Sequence, residues 1–298
     1  LKLNRLQNEL KLIQFDTDKK NKAKILYSEK AENYIEWKDH LFFEENGFVI
    51  SNEESGFRQL YYYNYQGKLI KQLTNGNWEV DDVFDLLNNA VYFSSTEKNI
   101  FERNIYKVDL SGNKKLIVNL KGSNTIQVSP DGQFLVNHNS AFHLPDNYNV
   151  LDSEGSFIRS LETNEELYYQ INSLSLPKPE YFSYENSNGD TLNAYFLKPV
   201  DFDSTKKYPV LMYVYGGPGY QVLKNKYDGF NYFWHTHLTE QGYIVALVDV
   251  RGTGGRGRFF RETTYGKLGD LETNDISQLA EHIKLMPFTD ENRVGVWG

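Results

Sequence analysis

The sequence predicts two successive folds in one chain. Residues 1–175 read as an antiparallel, turn-rich β-domain, and residues 176–298 as an open α/β domain with a parallel sheet. Three observations predict this. Short β-type runs separated by turn residues recur through the first part. A stiff connector, Leu176-Pro177-Lys178-Pro179, follows them. Beyond it, strand and helix patterns alternate around Val210–Val214, a wholly apolar run of the kind buried on both faces in a parallel sheet.

In chain order, the first part is a series of hairpins. Leu10–Phe15 leads into Asp16-Thr17-Asp18. Leu60–Tyr65 turns at Gln66-Gly67-Lys68 and returns as Leu69–Leu73. Ile105–Leu110 turns at Ser111-Gly112-Asn113 and returns as Lys115–Leu120. Val150–Asp152 turns at Glu154-Gly155-Ser156 and returns as Phe157–Leu161. Hairpins at this spacing predict a sandwich or a propeller. Strand, Ser129-Pro130-Asp131-Gly132, strand is a blade hairpin and favours the propeller, and Asn75–Val80 reads as a blade boundary.

In the second part, Glu180–Glu185 and Thr191–Lys198 form a hairpin around Asn186–Asp190. Pro209 stands at the start of the organising strand, where a missing N–H costs least. That strand runs into Tyr215 and then Gly216-Gly217-Pro218-Gly219, a loop that lets the backbone approach other groups closely. Open α/β sheets put their chemistry at such strand ends. Phe233–Gln241 reads as a helix capped by Gly242, Tyr243–Val250 as the next buried strand, and Thr273–Met286 as an amphipathic helix stopped by Pro287. Arg293–Trp297 begins a third strand. Strand, helix, strand, helix, strand is a doubly wound order.

Composition removes several function classes. The net charge of −8 argues against a nucleic-acid partner and against a polybasic membrane site. Zero cysteines exclude disulfides, thiol nucleophiles and Cys-ligated zinc. No apolar run approaches the roughly 18 residues a membrane span needs. The chain opens at Leu1 without Met and closes on Gly298, so it is expected to be an internal piece of a longer protein.

Several candidate motifs have bland readings. Glu44-Glu45 and Glu53-Glu54 could hold an amine, but surface turns account for such pairs more often. With aromatics at 15%, Trp37 and Phe57 read as core. His40, His138 and His143 lack metal-ligand spacing, and His235-x-His237 points to two faces of one helix, so no metal is expected. Gly252-Thr253-Gly254-Gly255-Arg256-Gly257 matches G-x-G-x-x-G. A dinucleotide site needs a helix to open at that loop, whereas here the run continues through Arg258–Arg261 before any helical pattern. No cofactor is expected.

A set of motifs in fixed order resembles the prolyl oligopeptidase family of serine peptidases, in its dipeptidyl peptidase IV subfamily. They are Ile50–Glu54 with Gly56-Phe57-Arg58, Gly76–Val80, Lys206–Val210, Val214–Pro218, Asp249–Gly254, Lys267-Leu268-Gly269 and Arg293–Gly298. The resemblance implies the last blades of an eight-bladed β-propeller (1–175) followed by the N-terminal part of an α/β-hydrolase domain (176–298). It implies a serine exopeptidase that removes N-terminal Xaa-Pro or Xaa-Ala dipeptides through an acyl-enzyme. Tyr215 matches the tyrosine that donates to the oxyanion, Gly216, Gly217 and Arg251 match loop-positioning residues, and Gly298 matches the first glycine of the Gly-x-Ser-x-Gly nucleophile elbow. The catalytic Ser, Asp and His and the Asp-Trp-x-Tyr-Glu-Glu segment are not among these 298 residues, so the chain by itself is expected to be inactive. Peptides are the expected substrates and a homodimer of the whole protein the expected assembly. Relatives from bacteria imply export to the periplasm or cell surface. A tripeptidyl or acylaminoacyl peptidase on the same scaffold, or a non-catalytic propeller binding protein, remain alternatives.

Overall fold

The structure, a computed structural model, describes residues 1–16 and 22–298. Among the described residues, four antiparallel meanders follow one another. The first holds β1 (Lys2–Leu3), β2 (Glu9–Asp16) and β3 (Lys22–Lys30). The second holds β4 (Leu41–Glu44), β5 (Gly47–Asn52), β6 (Gln59–Asn64) and β7 (Leu69–Gln72). The third holds β8 (Val80–Leu87), β9 (Ala90–Ser95), β10 (Asn104–Asp109) and β11 (Lys114–Val118). The fourth holds β12 (Ser123–Val128), β13 (Phe134–Ala141), β14 (Leu144–Asp152) and β15 (Phe157–Glu162). The chain completes each sheet before starting the next, which is the order of propeller blades, not of a sandwich. The turn at Thr17 and Asp18 lies outside the described residues.

The outer hairpins share one turn chemistry. The side-chain oxygen of Asn64 accepts the N–H groups of Gln66 and Lys68, that of Asp109 those of Ser111 and Asn113, and that of Asp152 those of Glu154 and Ser156. Each turn then needs a left-handed residue, supplied by Gly67, Gly112 and Gly155. Strand alternation stitches the blades together. Phe48 and Ile50 of β5 face the first blade's Leu10 and Leu26, while Val49 faces the third blade's Val80 and Phe93. Tyr92 and Ile105 in turn face Ile126 and Leu135 of the fourth.

A short helix, α1 (Glu165–Ser173), leads toward the fifth sheet. With Ile171 as its one buried residue, this helix shows no apolar stripe in the sequence. That sheet holds β16 (Glu180–Glu185), β17 (Thr191–Leu197), β18 (Tyr208–Tyr213), β19 (Ile244–Asp249) and β20 (Thr289–Trp297), in the order β16-β17-β19-β18-β20. β18 is parallel to both β19 and β20, and β16 and β17 extend the sheet antiparallel. Helices α2 (Gly229–Glu240), α3 (Arg258–Glu262) and α4 (Asp270–Lys284) complete it. β19 is buried on both faces: Ile244, Ala246 and Val248 meet Leu279 and Ile283 of α4, and Val245 and Leu247 meet Tyr232 of α2.

Three expectations are corrected. β18 is not buried equally on its two faces: Tyr208, Val210 and Met212 are buried, but Leu211 and Tyr213 only partly, because α2 lies over β19 and β17. α2 begins at Gly229, a turn earlier than the apolar pattern shows. A helix, α3, opens directly after Gly257, within the run read as lacking one.

Candidate active site at the ends of the parallel strands

β18 and β20 deliver the candidate residues to one edge. Their ladder ends with Tyr213 opposite Trp297, and the Val214 N–H donates to the Trp297 carbonyl at 3.1 Å. Gly298 follows, and a Cβ there would stand 2.0 Å from the Val214 carbonyl oxygen, so only glycine permits this approach. Tyr215 is the next residue on the neighbouring strand's exit. It is 50% exposed, and its ring meets Tyr220 edge-on at 4.6 Å. The ring folds over Gly217, where a Cβ would come within 2.9 Å of the hydroxyl, while Gly216 packs on Glu272 of α4. The two glycines therefore shape the space around the Tyr215 ring.

Arg251 sits deeper. Its backbone N–H and Nε both donate to Asp275 of α4 at 2.9–3.0 Å, and its Nη2 lies 2.8 Å from the same carboxylate. Asp275, fully buried, also accepts from Asn186. Arg251 thus ties the exit of β19 to α4 and to the β16–β17 turn.

The blades hold the loops from the other side. Glu53, expected in a surface turn, is buried at 5% exposure and receives Arg261 through two bonds of 2.6 and 2.7 Å and Arg58 through one of 2.9 Å. Burial pushes its carboxyl up, but the Arg261 bonds and both guanidinium charges hold it below the usual range. Glu36 also meets Arg261, at 2.7 Å. Glu44 and Glu45, by contrast, do lie at a hairpin turn. Glu79 accepts the N–H groups of Gly255 at 3.1 Å and Gly257 at 2.8 Å. Burial, with the nearby Glu53, pushes the Glu79 carboxyl up against the pull of Arg261, Arg58 and the Gly257 N–H, yet both its oxygens accept, so the group that fills this glycine loop is a side chain of the protein itself. Arg103 donates to Asp81 at 2.6 Å and to Gln221 at 2.8 Å, joining the third blade to the segment after Tyr220. Asp249, ending β19, accepts the N–H groups of Val222 and Leu223, and burial pushes its carboxyl up to about 6.

Between blades and sheet lies a cavity of about 570 Å³, lined by Asp81, Arg103, His138, Tyr213, Tyr220 and Lys224 among others. His235 is buried beside it, its imidazole held neutral by burial with a pKa of about 4, while His237 is exposed. Among the described residues no group of His, Asp or Glu could hold a metal ion. Trp37 packs on the first blade's core.

The family described as "Dipeptidyl peptidase IV (DPP IV) N-terminal region" matches residues 2–146, and the "Prolyl oligopeptidase family" matches residues 230–298. The chain belongs to the prolyl oligopeptidase family, in its dipeptidyl peptidase IV branch. It is 32% identical to a protein of Arthroderma benhamiae named "Probable dipeptidyl-aminopeptidase B", over 85% of this chain and 29% of that one. It is 28% identical to dipeptidyl peptidase 4 of Trichophyton equinum, over 99% of this chain and 40% of that one. The crystal structure of Porphyromonas gingivalis dipeptidyl peptidase 4 superposes with a TM-score of 0.93 at 32% identity, covering 99% of this chain and 42% of that one. The chain thus spans about two fifths or less of the length of these dipeptidyl peptidase IV relatives.

Of the residues the sequence singled out, the structure brings Tyr215, Gly216, Gly217 and Gly298 to one edge and places Arg251 deeper, against Asp275. Sequence reasoning missed Glu53, Glu79, Arg103 and Asp249 as site supports. Only Asp249 carried a local signal, a lone acid closing an apolar strand.

Proposed function

We infer that the whole protein is a serine exopeptidase that releases N-terminal dipeptides, Xaa-Pro or Xaa-Ala, through an acyl-enzyme. Tyr215 donates to the oxyanion of the tetrahedral intermediate. The observation that carries this reading is the adjacency of the two strand exits: Gly298 abuts the carbonyl of Val214, one residue before Tyr215. A serine on an elbow opening at Gly298 and the Tyr215 hydroxyl would then face one carbonyl. The names of the relatives support the dipeptidyl specificity.

The chemistry follows from charge. Attack on the scissile carbonyl moves a pair of electrons onto its oxygen, and a donor already in place stabilises that charge without reorganising. A tyrosine hydroxyl on a glycine-shaped loop meets this need, and a half-exposed position lets substrate reach it. Loss of one such donor costs about 10²–10³ in kcat. Tyr215→Phe in the whole protein keeps the ring and removes only the hydroxyl. With a Gly-Pro chromogenic amide, kcat is expected to fall by that factor with KM little changed, because the bond forms chiefly in the transition state. A folded variant that keeps more than about half of wild-type kcat, with chemistry rate-limiting, overturns the assignment.

A further inference from the structure

We propose that Glu79, on the propeller side, is a positioning residue for the oxyanion donor, a role that rests on the reading of Tyr215 above. Glu79 stands at the entry to the third blade, buried, and its two carboxylate oxygens each accept one amide of the glycine loop, Gly255 and Gly257. The same loop leans directly on the Tyr215 loop. The Gly219 N–H donates to the Gly252 carbonyl at 2.8 Å, and the Gly254 Cα packs so close to the Gly219 carbonyl that a Cβ would sit 2.4 Å from its oxygen. Force applied at Glu79 therefore reaches the segment Gly216–Gly219 through backbone contacts alone, with no flexible side chain after the carboxylate. Gly56 completes the grip: its carbonyl accepts the Arg258 N–H at 2.8 Å.

The chemistry of the grip explains why an acid is needed. Two converging N–H groups from residues two apart form an anion cradle. A carboxylate satisfies both, whereas a carboxamide offers one acceptor and turns two N–H donors toward a donor. Glu79→Gln thus changes no volume but repels one amide, displacing the loop by a fraction of an ångström or more. Misplacement on that scale at a reacting centre costs up to about 10²-fold in rate.

The test is a kinetic cycle in the whole protein with wild type, Glu79→Gln, Tyr215→Phe and the double variant, using a Gly-Pro chromogenic amide. Glu79→Gln is expected to lower kcat by about 10-fold or more with KM within about threefold. In the Tyr215→Phe background the same change is expected to cost less than about twofold, because the group it positions is gone. A purely structural clamp gives equal losses in both backgrounds, and that result, or full activity of Glu79→Gln beside an impaired Tyr215→Phe, overturns the proposal. If Tyr215→Phe alone is fully active, the reading of Tyr215 fails, and the positioning role falls with it. Should Glu79→Gln not fold, Glu79→Asp takes its place in the cycle. It keeps the charge but withdraws the carboxylate by one methylene, and the same two outcomes decide.

Discussion

Among the described residues, Glu53→Gln removes one charge from the most buried ionic contact between the blades and the fifth sheet's domain. In the wild type, Arg261 is 3% exposed and Arg58 equally buried, and Glu53 accepts three charge-assisted bonds from them, at 2.6, 2.7 and 2.9 Å. Deleting one partner of a buried pair costs about 3–5 kcal/mol, since the remaining charge has lost its compensation. Two features bring the figure to the lower end. Glu36 stays within 2.7 Å of Arg261, and the Glu36 carbonyl still accepts Arg58 at 3.0 Å. The expected loss is therefore about 3 kcal/mol. Urea unfolding of the whole protein at pH 7 reads it, with Arg261→Met and the double variant completing a cycle. The double variant is expected to be no less stable than Glu53→Gln alone, because removing Arg261 also removes the stranded charge. A loss under about 1 kcal/mol for Glu53→Gln, or additive losses in the cycle, would refute the reasoning.

Two further predictions concern stability. Asp249 has a folded pKa of about 6 against an ordinary 3.8, so the fold favours its protonated form; its contribution is full below about pH 4 and is lost as pH rises to about 6. Asp249→Asn keeps an acceptor for the Val222 and Leu223 amides and does not titrate, so between pH 4 and 6 the wild type should lose about 2 kcal/mol relative to it; parallel urea midpoints across that range would refute this. Gly155→Ala puts a Cβ 1.9 Å from the Ile117 carbonyl oxygen at a left-handed φ of 88°, where the fourth blade's turn meets the third. A loss of at least about 2 kcal/mol in urea unfolding is expected, and a variant of wild-type stability would contradict the close approach.

The fold was legible where local chemistry decides it. Glycine-centred turns between β-type runs announced the outer hairpins, and Gly242 and Pro287 announced helix ends. What stayed hidden depends on distance. Five residues of α3 are too few to show a helical period, and the partial exposure of β18 depends on which strands α2 happens to cover. Glu53-Glu54-Ser55-Gly56 looks like a solvated turn until Arg261, 208 residues away, is folded against it. Tyr215 could be read from its motif, but Glu79, which grips the neighbouring loop, could not, because its two partners lie 176 and 178 residues downstream.

The G-x-G-x-x-G loop at Gly252–Gly257 has a consequence for the order of assembly. Its amide cradle is filled by a residue the ribosome delivers far earlier. Until β19 and its loop exist, the Gly255 and Gly257 amides that Glu79 accepts are not there to bind. The Glu53–Arg261 pair and the Glu79 bonds to Gly255 and Gly257 likewise form only when the two halves dock. Docking across such separations is also entropically late. The loop beside Tyr215 and the blades that face it are therefore completed by one docking event, since two of the loop's amides find their acceptor only across that interface.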